Sequence, residues 1–333
     1  MGVLYALESI RTPVLDKIML IISELGGEAP FLIIAIAVFW CIDKRKGYYL
    51  MTVGFFGMIL NQFLKILCCV PRPWVKDPAF PIVEPARAGA TGYSFPSGHT
   101  QNAVSLYGGI ARCTGSVVLR VVCIVLAVLI AFSRMYLGVH TPLDVGVSFV
   151  VATVLVLALS PLMEEVKRRP AVQTYVIAGM VVCSGAFLAY LYLRGDTGAT
   201  AEDTANYVNA VENGWKFVGV SLALLTVNIV DRKTLRFETR AVWWAQLIKL
   251  VVGFGLLMAI RSGLKAPLIA LLVFAALAIS VHVTGFNLAI IAKRANQLTK
   301  ILSQIFQPDP SFFSKVITPL LDTIKMSVMG SVI

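Results

Sequence analysis

Residues 118–137 read VLRVVCIVLAVLIAFSRMYL, an apolar run with Arg120 and Arg134 near its two ends. A helix needs roughly 20 mostly apolar residues to cross a bilayer, because lipid offers no hydrogen-bond partner to the backbone. The whole 333-residue chain is similar in character: 58% of its residues are hydrophobic, 14% are charged, and its mean hydropathy is +0.81. These values are outside the range of ordinary soluble domains. The sequence therefore predicts an integral membrane protein.

Eight further apolar segments predict, with this run, an all-α, polytopic membrane helix bundle of about nine spanning helices. Clusters of Lys and Arg occupy every second loop, which assigns those loops to the cytoplasm. The acidic segment 195–214 contains no Lys or Arg and is expected on the outer side. The predicted spans are 28–42, 48–69, 100–115, 118–137, 141–162, 174–193, 215–230, 242–261 and 266–292.

The two ends of the chain are expected to lie on membrane surfaces. Residues 1–27 contain too many charges and turn residues to span well, but apolar residues recur at helical spacing from Leu15 to Ile22. This pattern predicts an outer-face interfacial helix. Residues 295–333 mix apolar and polar positions and predict a cytoplasmic amphipathic tail.

The charge and cysteine patterns exclude several classes of function. The net charge of +11 comes from short basic clusters between apolar runs, which indicates membrane topology and argues against a nucleic-acid partner. The six cysteines lie mostly in or beside apolar runs, without metal-ligand spacing or the loop positions of a disulfide framework. We therefore expect no metal and no cofactor.

No asparagine lies in an N-x-S/T context, which favours a bacterial inner membrane over a glycosylating compartment.

Three short motifs combine basic residues, histidines and a carboxylate. On the topology derived from the loop charges, all three open to the outer face of the membrane. The motifs are Lys65 with Arg72-Pro73 seven positions later, Pro96-Ser97-Gly98-His99, and Ser133-Arg134 followed by His140 and Asp144.

These motifs resemble the signature of the type-2 phosphatidic acid phosphatase family, which is K-x6-RP, then PSGH, then SR-x5-H-x3-D. Every fixed position matches, with the same order and internal spacings. The resemblance covers residues 28–162 and implies that this part is a catalytic phosphatase helix-bundle core. It assigns no role to residues 163–294, which we interpret as additional transmembrane helices.

The residues also supply the parts that phosphoryl transfer needs. His140 and Asp144 are four positions apart at a helix start, so the carboxylate can orient the imidazole. This predicts His140 as the nucleophile, and the family resemblance implies the same role through a phosphohistidine intermediate that water later attacks. His99 is the predicted general acid, because it follows a turn from which it can protonate the leaving oxygen.

The remaining motif residues are predicted to bind the phosphate. The cations Lys65, Arg72 and Arg134 supply positive charge, and arginine forks suit bidentate contact with phosphate oxygens. Ser97 and the Gly98 backbone lie at a helix N-terminus, where unpaired N–H groups favour an anion. The three cations can replace a metal ion, so we expect metal-independent turnover.

The expected substrate is a membrane lipid phosphate or diphosphate, because the site opens at the bilayer surface where a lipid tail can enter. The resemblance implies polyprenyl diphosphate, phosphatidic acid or phosphatidylglycerol phosphate as candidates. Two alternatives use the same site: hydrolysis of a soluble sugar phosphate, and transfer of the phosphate to an acceptor other than water. A third alternative is a headgroup-binding lipid transporter. A homo-oligomer, with the C-terminal helices at its interface, also stays open.

Overall fold

The computed structural model describes residues 1–239 and 241–261, and this part of the chain is helical with no β-strand. A 3₁₀ turn at Glu84–Ala86 and π-helical turns at Val104–Gly108 and Asp231–Leu235 accompany the α-helices. The α-helices are α1 (Gly2–Glu8), α2 (Pro13–Glu24), α3 (Glu28–Cys41), α4 (Lys44–Cys68), α5 (Pro73–Lys76), α6 (Gly98–Ala103), α7 (Gly109–Cys113), α8 (Val117–Tyr136), α9 (Pro142–Leu159), α10 (Pro161–Arg168), α11 (Ala171–Arg194), α12 (Ala201–Val230) and α13 (Trp243–Arg261).

Six helical segments among the described residues are long and apolar enough to cross a membrane. The number rises to seven if α2 and α3, which meet at an angle of 46°, form one bent span. The all-α membrane architecture is thus confirmed, whereas the count of nine spans is not. Helix α3 has only 14 residues, and the predicted spans at 28–42 and 100–115 are too short alone by this criterion. The predicted span 266–292 and the predicted tail 295–333 lie outside the described residues.

Helices α3 and α4 form a tight hairpin that starts the bundle. The Asp43 carboxylate caps α4 by accepting hydrogen bonds from the backbone N–H groups of Arg45 and Lys46, at 2.8 and 3.3 Å. A Cβ atom on Gly47 would overlap the Cα atom of Phe39. Only a residue without a side chain allows the two helices to approach this closely.

The segment from α6 to α7 lies in the middle of the bundle, with α4, α8 and α9 packed against it. Most of its apolar side chains are buried, as Ala103 and Leu106 illustrate, and they belong to one core with Ile130 of α8 and Ala152 of α9. The π-helical turn interrupts the helix at its centre. Burial of this segment fixes the position of its first residues, which carry His99.

Helices α11 and α12 form an antiparallel pair that packs beside α4. At one end of this pair, the Lys44 ammonium group lies 2.8 Å from the Asp231 carboxylate, which is buried. At the other end, the Arg194 guanidinium donates to the Cys69 thiol at 3.1 Å. The helices beyond the predicted catalytic core are therefore attached to it at both ends of α4.

Candidate active site

Four helix ends meet at one end of the bundle and carry the predicted site residues, except for Arg72, which is the N-cap of the short helix α5. Helices α4 and α8 contribute residues near their C-termini, whereas α6 and α9 contribute residues at or next to their N-termini. Five ionisable members are almost fully buried, with exposed fractions of at most 4%. These buried residues are Lys65, Arg72, Arg134, His140 and Asp144.

His140 and Asp144 face each other at the start of α9. The Nδ1 atom of His140 lies 3.5 Å from Oδ2 of Asp144. The same carboxylate oxygen accepts hydrogen bonds from the Thr141 backbone N–H at 2.8 Å and from the Ser94 hydroxyl at 2.5 Å. Thr141 is the N-cap of α9 and completes a capping box with Asp144. Asp144 therefore caps the helix start, and its carboxylate faces the imidazole.

The imidazole of His140 is held in one tautomer. Arg72 Nη1 lies 3.0 Å from His140 Nε2, and because a guanidinium can only donate, Nε2 must accept. The ring proton then sits on Nδ1, which faces Asp144. His140 lies in the short connection between α8 and α9, where burial and then the charge of Arg72 hold its pKa well below the ordinary value. The ring is therefore neutral near pH 7, with its Nε2 lone pair directed at Arg72.

Lys65 and Arg72 both bind the backbone of the loop at residues 91–93. Lys65 Nζ donates to the carbonyl oxygens of Tyr93 at 2.5 Å and Thr91 at 3.3 Å. Arg72 donates through Nε to the Gly92 carbonyl at 3.0 Å and through Nη2 to that of Thr91 at 2.7 Å. Gly92 has a φ of +69°, a conformation that favours glycine. This turn brings three carbonyl oxygens within reach of the two cations.

Arg134 is the buried cation with the fewest hydrogen bonds. Its Nη1 atom donates to the Ser23 hydroxyl at 2.5 Å, but Nε and Nη2 have no partner within the described part of the chain. A buried donor without a partner costs about 1–3 kcal/mol. Such a guanidinium indicates a binding position for an anion.

His99 and Ser97 lie in the first turn of α6. The Ser97 hydroxyl caps the helix by accepting from the backbone N–H and hydroxyl of Thr100, at 3.4 and 3.0 Å. The Ser97 backbone N–H donates to the Asp144 carbonyl at 3.2 Å, which ties this turn to α9. The His99 ring is partly buried and interacts electrostatically with Arg134. Gly98, between the two, begins the helix.

Three contacts at the site were not predicted from the sequence. Ser94 donates to the Asp144 carboxylate, Ser23 accepts from Arg134, and the Tyr93 hydroxyl donates to Asp203 of α12 at 2.6 Å. Ser94 lies three residues before Ser97, so the motif could have indicated it. Ser23 and Asp203 are distant in sequence and have no motif of their own, so only the fold reveals them.

No group of three His, Cys, Asp or Glu side chains is arranged to hold a metal ion within residues 1–239 and 241–261. The predicted site residues instead bring together two histidines, three cations and one carboxylate. A neutral imidazole and buried cations are groups that suit covalent phosphoryl transfer.

Comparison with known proteins identifies the family. The family model described as the PAP2 superfamily matches residues 46–168. The chain is 33% identical over 144 residues to the undecaprenyl-diphosphatase BcrC of Bacillus subtilis (strain 168), a match that covers 43% of this chain and 72% of that protein. It is 30% identical over 175 residues to phosphatidylglycerophosphatase B of the same organism, covering 48% of this chain and 80% of that protein.

Among solved structures, the chain resembles the crystal structure of a transmembrane PAP2-type phosphatidylglycerolphosphate phosphatase from Bacillus subtilis. The identity is 29% and the TM-score is 0.43, with 50% of this chain and 86% of that chain covered. The segment that the family model matches, residues 46–168, contains all three motifs. On the family match and its two relatives, this chain belongs to the PAP2 superfamily and is a membrane phosphatase of that family.

Proposed function

We propose that this protein hydrolyses a lipid phosphate or lipid diphosphate through a phosphohistidine intermediate on His140, without a metal ion. The observation that carries this proposal is the excess of positive over negative charge in the buried cluster. Lys65, Arg72 and Arg134 are buried together with the single carboxylate of Asp144. Buried charges are costly unless they are paired, and a phosphate group in the cluster supplies the missing negative charge.

The first step is attack of the His140 Nε2 lone pair on phosphorus. A phosphate oxygen accepts the hydrogen bond that Arg72 Nη1 now directs at Nε2, which frees the lone pair for attack. Burial and the three cations lower the pKa of His99 in the empty site, and the negative charge of the bound phosphate offsets those cations, so that His99 is protonated in the complex. The bond between phosphorus and the leaving oxygen breaks, and the His99 imidazolium gives its proton to that oxygen. Asp144 faces the Nδ1–H group and stabilises the positive charge that develops on the ring.

The second step releases inorganic phosphate. Water attacks phosphorus, the bond from phosphorus to Nε2 breaks, and neutral His99 takes the proton of the water. The Nε and Nη2 atoms of Arg134, which have no partner among residues 1–239 and 241–261, can donate to the equatorial oxygens. Ser97 accepts from Thr100 and can donate its own hydroxyl proton. These contacts stabilise the charge of the transferring group, a task that metal ions perform in other phosphatases.

A lipid substrate is supported by the apolar surface around this end of the bundle. Leu67, Val75 and Leu143 are exposed although each lies within three positions of a predicted site residue. Exposed apolar side chains beside a buried cationic cluster suit a molecule with a phosphate headgroup and a hydrocarbon tail. The names of the two relatives favour undecaprenyl diphosphate and phosphatidylglycerol phosphate, and we rank the diphosphate first.

The test is phosphate release by the purified protein in detergent. The panel contains undecaprenyl diphosphate, phosphatidylglycerol phosphate, phosphatidic acid and glucose 6-phosphate, each measured with and without EDTA. His140→Gln is the catalytic control, and His282→Gln is the matched control because that histidine belongs to no motif. We expect hydrolysis of at least one lipid substrate by the wild type and by His282→Gln, unchanged by EDTA, and none by His140→Gln.

Three results would contradict the proposal. Normal turnover by His140→Gln would show that His140 is not the nucleophile. Full loss of activity in EDTA, with recovery on adding a divalent ion, would show that the reaction needs a metal ion. Hydrolysis of glucose 6-phosphate in preference to every lipid would replace the substrate class.

A further inference from the structure

A second feature of the bundle lies away from the catalytic residues. A cavity of about 500 Å³ opens between α7, α8 and α9, a volume in the range of roughly 300–1,000 Å³ that is usual for ligand pockets. Val104, Ala127 and Phe149 line the part nearer the catalytic end, whereas Arg112 and Arg120 line the opposite end. The cavity therefore has an apolar part and a basic part.

The basic part is too distant to take part in phosphoryl transfer. Arg120 and Arg134 are fourteen positions apart in α8, which corresponds to about 20 Å at the helical rise of about 1.5 Å per residue. A phosphate held by Arg120 is thus remote from His140. A molecule whose phosphate is held by Arg120 is therefore not a substrate positioned for hydrolysis at His140.

The cavity opens towards the lipid-facing side of the bundle. Ile124 of α8 and Leu157 of α9 line it and have exposed fractions of 49% and 56%. Its other walls include Gly108 and Ala127, small residues that leave space between the helices. In a membrane, hydrocarbon chains surround such an opening, and an apolar cavity of this shape suits an acyl chain.

The mouth of the cavity suits an anionic group. The Arg120 guanidinium donates through Nε to the Ala111 carbonyl at 3.3 Å and through Nη2 to the Thr114 carbonyl at 3.1 Å, which holds it in position. Neither of these two hydrogen bonds uses the Nη1 atom of Arg120. Arg112 lies in the last turn of α7 and is exposed. Two adjacent arginines recognise a phosphate through charge and paired donors.

We propose that this cavity binds an anionic glycerophospholipid, with an acyl chain between α8 and α9 and the phosphodiester group on Arg112 and Arg120. The lipid fills space behind the helices that carry Arg134 and Asp144. It is a bound structural lipid and not a substrate, because its phosphate is a diester and lies at the end of the bundle opposite His140.

The test is lipid binding by the delipidated protein in detergent, measured by native mass spectrometry. Phosphatidylglycerol and phosphatidylcholine with identical acyl chains are the probes. We expect the wild type to bind phosphatidylglycerol at least tenfold more tightly, and Arg112→Gln to lose that preference. Arg168→Gln is the matched control, since it removes an exposed arginine from α10 outside the cavity and should keep the preference.

Two further variants test where the lipid lies. Ala127→Leu and Thr153→Leu fill the apolar part, and each should weaken binding of phosphatidylglycerol while the protein stays monodisperse. Arg134→Gln should leave the binding unchanged, because that residue belongs to the catalytic cluster. The proposal is overturned if the wild type shows no preference, if Arg112→Gln or both filling variants bind like the wild type, or if Arg134→Gln alone abolishes binding.

Discussion

Asp144 performs two tasks with one carboxylate, and the site depends on their combination. Oδ2 accepts from the Thr141 backbone and the Ser94 hydroxyl while it faces His140 Nδ1. The helix start thereby fixes the carboxylate, and the carboxylate fixes the imidazole. Preorganised contacts of this kind need no rearrangement as charge develops in the reaction.

The first prediction concerns the protonation of His140. Burial and the charge of Arg72 lower its pKa, so the neutral form that attacks phosphorus persists as the pH falls through the ordinary value of 6.5. The ring gains its proton only at a lower pH, and activity is lost there. We expect the NMR signal of ¹³C-labelled His140 to keep the Nδ1–H neutral form from pH 8 to pH 6. The signal is assigned by its loss in His140→Gln, and a midpoint at or above 6.5 would refute this prediction.

The second prediction concerns Ser94. Ser94→Ala removes a hydrogen bond to a charged carboxylate, which contributes about 1.5–3 kcal/mol, so kcat/KM should fall at least tenfold at ~1.4 kcal/mol per factor of ten. Ser148→Ala is the matched control, because Ser148 is also buried but donates to the Asp144 backbone carbonyl at 2.8 Å. It should retain most of the activity. Equal losses in the two variants would mean that the carboxylate contact has no special role.

The individual residues of the site were predictable where a motif carries them. The motif positions, the capping box of Thr141 with Asp144, and the facing of Asp144 and His140 follow from local spacing along the chain. Ser23 was not predictable, because its contact with Arg134 depends on how α2 packs on α8. The catalytic roles of these residues remain predictions that the variants above test.

Helix α12 connects the accessory helices to the phosphate-binding loop. Asp203, in its first turn, accepts from the Tyr93 hydroxyl, and the Tyr93 carbonyl in turn accepts from Lys65. Burial and the hydrogen bond to Asp203 raise the pKa of Tyr93, so the hydroxyl stays protonated and donates. The accessory pair α11 and α12 thereby holds the loop that the site cations bind.

The third prediction tests this connection with a double-mutant cycle. Tyr93→Phe and Asp203→Ala should each lower kcat/KM roughly fivefold, the equivalent of a hydrogen bond of ~1 kcal/mol, and the double variant should be no worse than either. Thr200→Val is the control, since Thr200 contacts Asp203 in the helix cap but not Tyr93. Fully additive losses would show that the two side chains act independently.

Helix limits were predicted well where apolar runs have clear ends, as for α8, α9 and α11. The prediction was less successful for the segment from α6 to α7, which is short, contains a π-helical turn and is buried by its neighbours. Hydropathy cannot distinguish a lipid-facing helix from one that is apolar because protein surrounds it. Helix α2 packs on α8 and also forms a bent pair with α3. Neither arrangement distinguishes an interfacial helix from one half of a bent span, so the interfacial helix at residues 1–27 remains a prediction.

The catalytic residues and the pair Arg112 and Arg120 lie at opposite ends of the bundle, and loop charge predicts how the bundle is oriented in the membrane. The fourth prediction is that the catalytic end faces outward in a bacterial inner membrane. Asp196→Cys should react with a membrane-impermeant maleimide in intact cells, whereas Arg168→Cys should react only after permeabilisation. The parent chain gives the background from its own cysteines. The reverse pattern would place the site on the cytoplasmic side.

The family and the membrane architecture were predictable from sequence because motifs and hydropathy are local properties of the chain. The attachment of the accessory helices to the core was not predictable, because it depends on long-range contacts such as Tyr93 with Asp203 and Lys44 with Asp231.

The most direct test of the mechanism is the location of the phosphorylated residue. A substrate that the wild type hydrolyses, labelled in its terminal phosphate, is mixed with the protein, and turnover is quenched in alkaline denaturant, which preserves a phosphorus–nitrogen bond. Mass spectrometry of the digest then locates the label. The mechanism predicts acid-labile phosphate on His140 that is absent from His140→Gln. Turnover without label on His140, or label on another residue, would contradict it.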